Sequence, residues 1–553
     1  MLTFLSLYED VLLEICSYLT SRDALQLSLA HSSLYPLAMP RALAHRAMRK
    51  EKTKPRLSRF RRSMIRTDER LPLLLPIYYV RSLDLRGIVE VEAWRCSNIL
   101  SIASRLLELS LSHVYLNLFS FADVLPTLPQ LTTLILEGCV QNTILSIAEI
   151  SIETLESLSL QFTDQYAHRS LLMPFKPQSF IGAFAHFPRL RDLTLLNANA
   201  GTLGAEPDFF WEDLGSPGSP VLPSIRRLSL HIEGFILETL LSACRNLTDL
   251  VFRRTHAGWN RDFSTVGPPW PSPLRTLTWD PNCGLYLSPE SEPRIPRAHH
   301  LVLHNKLHVR GETADIYGGE YGAGQALVVL GRVNPVVVSM TVYPTKDKPP
   351  VVDDDRLALW PAFAHATPRL RALELTMNIR GDDGMMLLPC LRAAFRALPK
   401  LAYLGLDVPP ATGRYPKGHA RDLDPTAQGE FFTELTLARR YEAYRLDVLK
   451  RTVERGAGAL PGLVVLRIAH LQPPFRSEAE KAGAPGAGDE GINQAADEAL
   501  EKLRDVAKDA NKGERWWRPE GEGVERRFVE ISREEGERLR ELVQNTDERS
   551  TKS

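Results

Sequence analysis

One short apolar pattern returns along most of this chain and restricts its fold more than any other feature. An apolar residue, two variable residues, a second apolar residue, one variable residue and a third apolar residue recur at Val80/Leu83/Leu85, Leu106/Leu109/Leu111, Leu131/Leu134/Leu136, Leu155/Leu158/Leu160 and Leu190/Leu193/Leu195. The pattern returns at Ile225/Leu228/Leu230, Leu247/Leu250/Phe252, Leu370/Leu373/Leu375, Leu401/Leu404/Leu406 and Leu463/Leu466/Ile468. Weaker copies read as Leu274/Leu277/Trp279, Ala298/Leu301/Leu303 and Val337/Met340/Val342. The anchors Leu83, Leu109, Leu134 and Leu158 fall 26, 25 and 24 residues apart, and later gaps widen, so insertions separate the later copies. Self-similarity at this period marks a solenoid, in which no unit buries its apolar face alone and stacked neighbours do it together.

Each copy fits a short strand. The last two apolar residues point inward at the strand period of two, and the residue between them points out. Upstream of many copies a helical stretch ends at proline, as in FADVLPTLPQL, FIGAFAHFPRL, WPAFAHATPRL and LRAAFRALPKL. Helix, proline stop and strand make a repeating βα unit, with helices outside and a parallel sheet inside. The expected class is α/β. A length of 553 residues agrees, since it exceeds what one ordinary core supports.

The first fifty residues follow another rule. Leu7, Val11, Leu12, Ile15 and Leu19 recur at helical steps, with Glu9 and Asp10 suited to the helix start. Thr20 and Asp23 signal the start of a second helix carrying Leu25, Leu27 and Leu29. A third segment, from Ser32 to about Met48, is expected to be broken by Pro36 and Pro40. Three short helices with this many apolar side chains exceed what so small a core can hold, so the surplus needs either a partner surface or the array behind it. After them Lys50, Lys52, Lys54, Arg56, Arg59, Arg61 and Arg62 form a basic run. It reads as a solvated helical linker with Phe60, Met64 and Ile65 turned inward, in preference to a nuclear-localisation or nucleic-acid patch.

The segment LYEDVLLEICSYLTSRDALQLSLAHSSLYPLA resembles an F-box, of the fungal type in this setting. Leu7, Val11, Leu12, Ile15, Tyr18, Leu19, Asp23 and Leu25 match its pattern, and Asp10 stands in for its glutamate. Tyr8 replaces the usual proline, and Leu34 stands where tryptophan is common. The array resembles leucine-rich repeats in an irregular version that mostly lacks the turn asparagine, Asn197 being one of few candidates. The expected organisation is an F-box at 1–48, a basic helical linker at 49–78, a leucine-rich-repeat-like solenoid at 79–473, a disordered linker at 474–490 and a helical and strand tail at 491–553.

The resemblance implies that Leu7, Tyr8, Val11, Leu12, Ile15, Leu19 and Leu25 dock a Skp-type adaptor, and through it a cullin. The chain would then be the substrate-recognition subunit of an SCF-type ubiquitin ligase and not itself an enzyme. The other reading is a repeat scaffold whose degenerate F-box only caps the array.

A substrate protein would meet the concave strand face. Its outward positions between the last two apolar residues are Asp84, Ser110, Ile135, Ser159, Thr194, Ser229, Val251, Thr278, Val302, Thr341, Glu374, Gly405 and Arg467. Two residues further along stand Arg86, Glu137, His231, Arg253, Asp280, His304, Tyr343 and Asp407, from which we take Arg86, Glu137, His231, Arg253, Asp280, Tyr343 and Asp407 as candidate contacts. That face offers no basic cluster for a phosphorylated signal. Insertions near 305–330 and 408–460, the latter with a charged helix from Phe431 to Arg455, are the second place for specificity.

Other chemistry finds little footing. Lys+Arg and Asp+Glu both total 67, so no global charge draws the chain to nucleic acid or an anionic membrane. The six cysteines have no CxxC and no regular spacing, which reads as reduced core thiols in a cytosolic or nuclear protein. The start MLTFLSLYEDVLLEI lacks a basic leader, and no apolar run reaches membrane length. GGEYGAG at 318–324 lacks the Lys-Ser/Thr end of a phosphate loop and shows no clear helix after it, so it reads as a turn. His299, His300, His304 and His308 lie in an apparent strand whose spacing holds the rings apart, and Asp353, Asp354 and Asp355 read as a helix cap. No cofactor or metal is expected. In the tail, Trp516 and Trp517 read as packing back onto the solenoid in preference to a peptide-binding hot spot, and Ser532 with Glu535 as a capping box.

Overall fold

The computed structural model describes residues 8–48, 64–65, 75–85, 97–112, 123–139, 143, 147, 149–162, 177–199, 221–233, 241, 243–253, 261–262, 273–279, 285–286, 297–309, 322–344, 359–377, 394–408, 450, 454, 460–470, 514–521 and 526–550. The chain divides into two compact units, the first covering 1–261 and 266–272 and the second 262–265 and 273–553.

The first unit opens on helices α1 (Glu9–Tyr18), α2 (Ser21–Ala30) and α3 (Tyr35–Ala44). Thr20 caps α2 by accepting from the Asp23 amide, and α3 packs against both other helices. The prolines do not break α3. Pro36 sits in its first turn, where amide donors are unpaired in any case, and Pro40 lies inside, at the cost of one intrahelical bond. Nor is the third segment helical to Met48. It ends at Ala44 and continues as strand β1 (His45–Met48), which pairs in parallel with β2 (Ser82–Leu85). The sheet therefore begins inside the stretch assigned to the helical module.

Parallel pairing continues through β3 (Glu108–Leu111), β4 (Thr133–Cys139), β5 (Ser157–Phe162), β6 (Asp192–Asn199), β7 (Arg227–Glu233) and β8 (Asp249–Arg253). The register aligns the repeat. Leu83, Leu109, Leu134, Leu158, Leu193, Leu228 and Leu250 form one column, and Leu85, Leu111, Leu136, Leu160, Leu195, Leu230 and Phe252 a second. All of them are buried, each worth roughly 2 kcal/mol of transfer free energy.

The first apolar residue of each triple has a different task. It closes a tight turn, as when the Leu131 amide donates to the Leu128 carbonyl and the Leu190 amide to the Phe187 carbonyl. The next two amides then share one carbonyl of the preceding repeat: Thr132 and Thr133 on Leu107, Glu156 and Ser157 on Thr132, Arg191 and Asp192 on Glu156. At the start of the row the Arg81 amide donates to the Ala44 carbonyl, so the end of α3 stands where a repeat would. Gly138, with φ of 76°, takes the left-handed turn where the β4–β5 register shifts.

The second unit repeats the scheme with β9 (Leu274–Trp279), β10 (Ala298–Val309), β11 (Val337–Pro344), β12 (Ala372–Met377), β13 (Tyr403–Val408) and β14 (Val465–His470), all parallel. Its columns are Leu277, Leu301, Val338, Leu373, Leu404 and Leu466, and Trp279, Leu303, Met340, Leu375, Leu406 and Ile468. The repeat at β11 is therefore Pro335/Val338/Met340, two residues from Val337/Met340/Val342, and Ser339 instead of Thr341 takes its outward position. Two antiparallel strands, β15 (Arg515–Glu520) and β16 (Arg527–Ile531), close this edge.

Helices described over their whole length outside the N-terminal module include α4 (Pro177–Ala185), α5 (Gly322–Val333), α6 (Leu359–Ala366) and α7 (Arg533–Ser550). α4 and α6 fall on two of the proline-stopped stretches and residues 394–397 of LRAAFRALPKL are helical too, whereas the described residues of FADVLPTLPQL, 123–131, include a 3-10 turn at Leu125–Thr127. α5 starts within GGEYGAG, which overturns the expectation of no helix there. The basic run, the acidic triplet at 353–355, the insertion 409–449, the linker 474–490 and the helix expected at 492–507 lie outside the described residues.

The columns set an expected outcome. Leu134→Ala should cost about 2–5 kcal/mol, read as a lower urea midpoint of the unfolding transition. Ser159→Ala, on the outward column between two leucine columns, should stay within about 0.5 kcal/mol of the parent. Equal effects would contradict the inward and outward assignment.

Candidate functional site

Two surfaces carry the residues the sequence singles out. The first is on α1 and α2. Tyr8 is 85% exposed, Tyr18 79% and Val11 43%, and Leu13 and Leu29 are exposed as well. Ile15, Leu19 and Leu25 are half-buried. Leu12, at 6% exposure, belongs with Cys16 and Ala24 to the interior of the helical module, so it supports the surface and is not open to a partner. Leu34 is buried too, and Leu7 lies outside the described residues. α1 thus offers an apolar row on a helix held from behind by α3. That arrangement can bind another protein's apolar surface.

The second surface is the outward side of the strands. In the first unit it is largely polar, Ile135 and Val251 excepted: beside the column from Asp84 to Val251 runs another of Ser82, Glu108, Thr133, Ser157, Asp192, Arg227 and Asp249. Glu137 faces Gln161 across the β4–β5 pair and is half-buried. Leu196 lies between Gln161 and His231 in the same column, so the row is not wholly polar. His231 pairs in register with Arg253, Arg86 and Asp280 lie outside the described residues, and Tyr343 stands in β11 opposite His308.

In the second unit the column two residues before the outward one changes character. It reads Thr276, His300, Val337, Ala372, Tyr403 and Val465. The apolar stretch from Val337 to Val465 is covered by α7, whose Leu539 and Val543 pack with Tyr403, Val465 and Trp516 in one cluster. Gly536 allows the approach, because a Cβ built there would overlap the Trp516 ring. Gly405 is similar: its missing Cβ, which would stand 2.6 Å from Tyr403 Oη, leaves room for the Tyr403 side chain. Tyr403 and Trp516 stack with centroids 6.3 Å apart.

Polar groups cross the same surface. His300 Nε2 lies 2.8 Å from Ser339 Oγ, and Ser339 donates to Glu374 Oε2 at 2.7 Å. The Arg540 guanidinium bonds Glu374 Oε1 at 2.9 Å and lies over the Tyr403 ring at 5.7 Å. Arg467 bonds Asp407 at 2.8 Å and also donates to Glu514. The two acids hold the guanidinium well above its ordinary range despite its burial. Burial nonetheless raises the Asp407 carboxyl, Arg467 opposing. Of the substrate candidates, Asp407 is thus already engaged within the chain.

Ser339, His300 and Glu374 do not form a hydrolytic triad. The hydroxyl proton goes to the carboxylate, whereas a nucleophilic serine needs an imidazole nitrogen free to take it. Among the described residues no group of three or more His, Cys, Asp or Glu is placed to hold a metal ion. Cys139 and Cys244 are buried, and burial pushes the Cys244 thiol up to about 12, so it stays a thiol. No described helix is long and apolar enough to cross a membrane.

Trp516 and Trp517 are both fully buried, on opposite faces: Trp516 opposite Arg467 and Trp517 opposite Leu466. The Ser532 hydroxyl caps α7 by accepting from the Glu535 amide, but the Glu535 carboxylate turns to Arg518 at 2.7 Å instead of completing the box. No motif in the sequence marks Leu539, Arg540, Val543 or Gly536. Their spacing puts them on one helix face, and that was the available signal.

No family model matches the chain, and neither does any curated protein. Among solved structures, the crystal structure of the TLR13-ssRNA13 complex is similar over 60% of this chain, at 15% identity and a TM-score of 0.20. The match covers 34% of that chain, about a third of its length. A likeness this loose says nothing about site or partner.

Burial lowers the pKa of His300, with Arg540 and His299 in the same direction and Glu374 opposing. A depressed imidazole pKa means stability that is present above the ordinary value and lost as pH falls below it. The second unit should therefore weaken below about pH 6.5. His300→Asn should flatten that part of the pH profile of the thermal midpoint, and an unchanged profile would show that His300 titrates as it does when unfolded.

Proposed function

We propose that this chain is the substrate-recognition subunit of an SCF-type ubiquitin ligase, its N-terminal helices forming an F-box that docks a Skp-type adaptor and, through it, a cullin. The observation that carries the reading is the exposed row of Tyr8, Val11 and Tyr18 on a helix whose spacing also matches the F-box pattern. A helix that leaves a tyrosine 85% exposed beside half-open aliphatic residues has apolar area to bury against a partner. The stacked parallel strands behind it suit a leucine-rich-repeat-like receptor, whose outward strand face takes the substrate protein. In this role the chain performs no ubiquitin chemistry and acts by raising the local concentration of substrate at the ligase.

A second reading has its own observation. α3 runs into β1, and its last carbonyl accepts the Arg81 amide as a repeat would. The helices then serve as the cap of a scaffold, without an adaptor.

The two readings part in a pull-down of the full chain with a purified Skp-type adaptor. Val11→Asp is the informative variant, because Val11 is exposed and its change leaves the module's interior intact. Leu12→Asp would bury a carboxylate inside that interior and test folding instead. On the ligase reading the parent retains the adaptor and Val11→Asp weakens it at least tenfold. A folded parent that retains none leaves the scaffold.

A further inference from the structure

We propose that the strand face under α7 is a docking site for an amphipathic helix of a partner protein, and that α7 occupies it in cis. This rests on the part of the proposed function that assigns protein binding to the strand face, and it is independent of the adaptor.

Three observations point to it. First, the position two residues before the outward one is polar in every strand from β2 to β8 of the first unit, whereas in the second unit it is apolar at Val337, Ala372, Tyr403 and Val465. That apolar run coincides with the strip that α7 covers. An outward column that turns apolar is a surface built to be covered.

Second, α7 is held to the face by ion pairs, Arg540 to Glu374, Glu535 to Arg518 and Arg533 to Glu514, and by few apolar side chains. The edge is already closed by β15 and β16, with Trp516 and Trp517 buried. From α7 only Leu539 and Val543 join the apolar cluster, while Leu542 is 61% exposed.

Third, the fit is incomplete in its polar groups. Tyr403 Oη, Trp516 Nε1 and Arg540 Nε are buried without a hydrogen-bond partner among the described residues. A better matched ligand would give such groups the partner that α7 does not.

The occupant's chemistry can be read from α7. A small residue must lie against Trp516, as Gly536 does. An apolar residue follows three positions on, as Leu539, and another seven positions on, as Val543; all three share one helix face. Between the two apolar residues a basic side chain must reach Glu374 and the Tyr403 ring, as Arg540 does. The partner is therefore a helix with a small residue at i, apolar residues at i+3 and i+7 and Arg at i+4. Glu374 makes an acid at i+4 unfavourable.

Tethering gives α7 a high local concentration, so a partner gains access only by outcompeting it or once α7 is loosened. This can be tested on the full chain with the substitutions Gly536→Val and Arg540→Glu together, which drive α7 from Trp516 and Glu374. Two measurements are made on parent and variant: hydrogen exchange over residues 533–550, and binding of a labelled peptide of the parental 533–550 sequence. The expected result is loss of protection confined to α7 and peptide binding at least tenfold tighter than by the parent. A peptide carrying Arg540→Glu should bind the variant at least tenfold more weakly, and adding Glu374→Arg to the variant should reverse that preference.

If α7 keeps its protection in the variant, or if β11 to β14 lose theirs with it, α7 is a fixed part of the fold and the proposal fails. Release without tighter peptide binding, or binding indifferent to the charge swap, overturns it as well. Loss of adaptor binding in the separate pull-down would leave these outcomes unchanged.

Discussion

Everything in this molecule depends on one repeat's strand entering beside the last, with two amides on a single shared carbonyl. Thr132 and Thr133 meet on Leu107, and Glu156 and Ser157 meet on Thr132. Once that contact fixes the register, Leu109, Leu134 and Leu158 must stand in line, and each is buried by the two beside it. A single repeat of some 25 residues has too little interior to fold by itself. Apolar burial supplies the free energy, but the shared carbonyl decides which leucine meets which.

The same constraint distributes function. Strand alternation assigns every second residue to the outward face whether or not it has a task. Most of those positions in the first unit hold Ser, Thr, Asp or Arg, which cost little when solvated. Where Val337, Ala372, Tyr403 and Val465 take those places instead, leaving them in water would forfeit several kcal/mol of transfer free energy. Covering them with α7 removes that penalty, while polar atoms on Tyr403, Trp516 and Arg540 are buried there with no partner among the described residues. The face is thus closed by a helix that satisfies its apolar requirement better than its polar one.

The triples were legible because leucine alternating with polar residues leaves one register open. Val336, Val337 and Val338 remove that alternation, and the β11 repeat was misplaced by two residues; the structure gives its first anchor to Pro335, which a search for aliphatic residues passes over. β1 was illegible for another reason: His45-Arg46-Ala47-Met48 has no strand pattern and is extended only because β2 lies beside it. Pro40 misled because a helix wedged between two others tolerates the loss of one bond. The apolar row of α1 was readable from spacing, but the division between Val11, which is open, and Leu12, which is closed, is set by packing within the module. On the strand face the positions that the sequence marks lie two residues after the outward column, while the apolar change occurs two residues before it. Only the register shows that Val337, Ala372, Tyr403 and Val465 stand side by side.

The junction of α3 and β1 bears on how a docking module at one end of such an array would work. A module on a free linker samples many orientations, and whatever it recruits is delivered to the array's ligand only by effective concentration. Here the chain passes from Ala44 at the end of α3 to His45 at the start of β1 with no intervening residue, and the Ala44 carbonyl is bonded to Arg81. Rotation of the helices against the first strands would have to break that bond and the β1–β2 pairing together. An adaptor seated on Tyr8 and Val11 would therefore be held in a set direction relative to the first repeats. If the chain were only a capped scaffold, the same junction would still seal the first strand's edge. The exposed side chains on the far side of α1 are what a cap alone does not require.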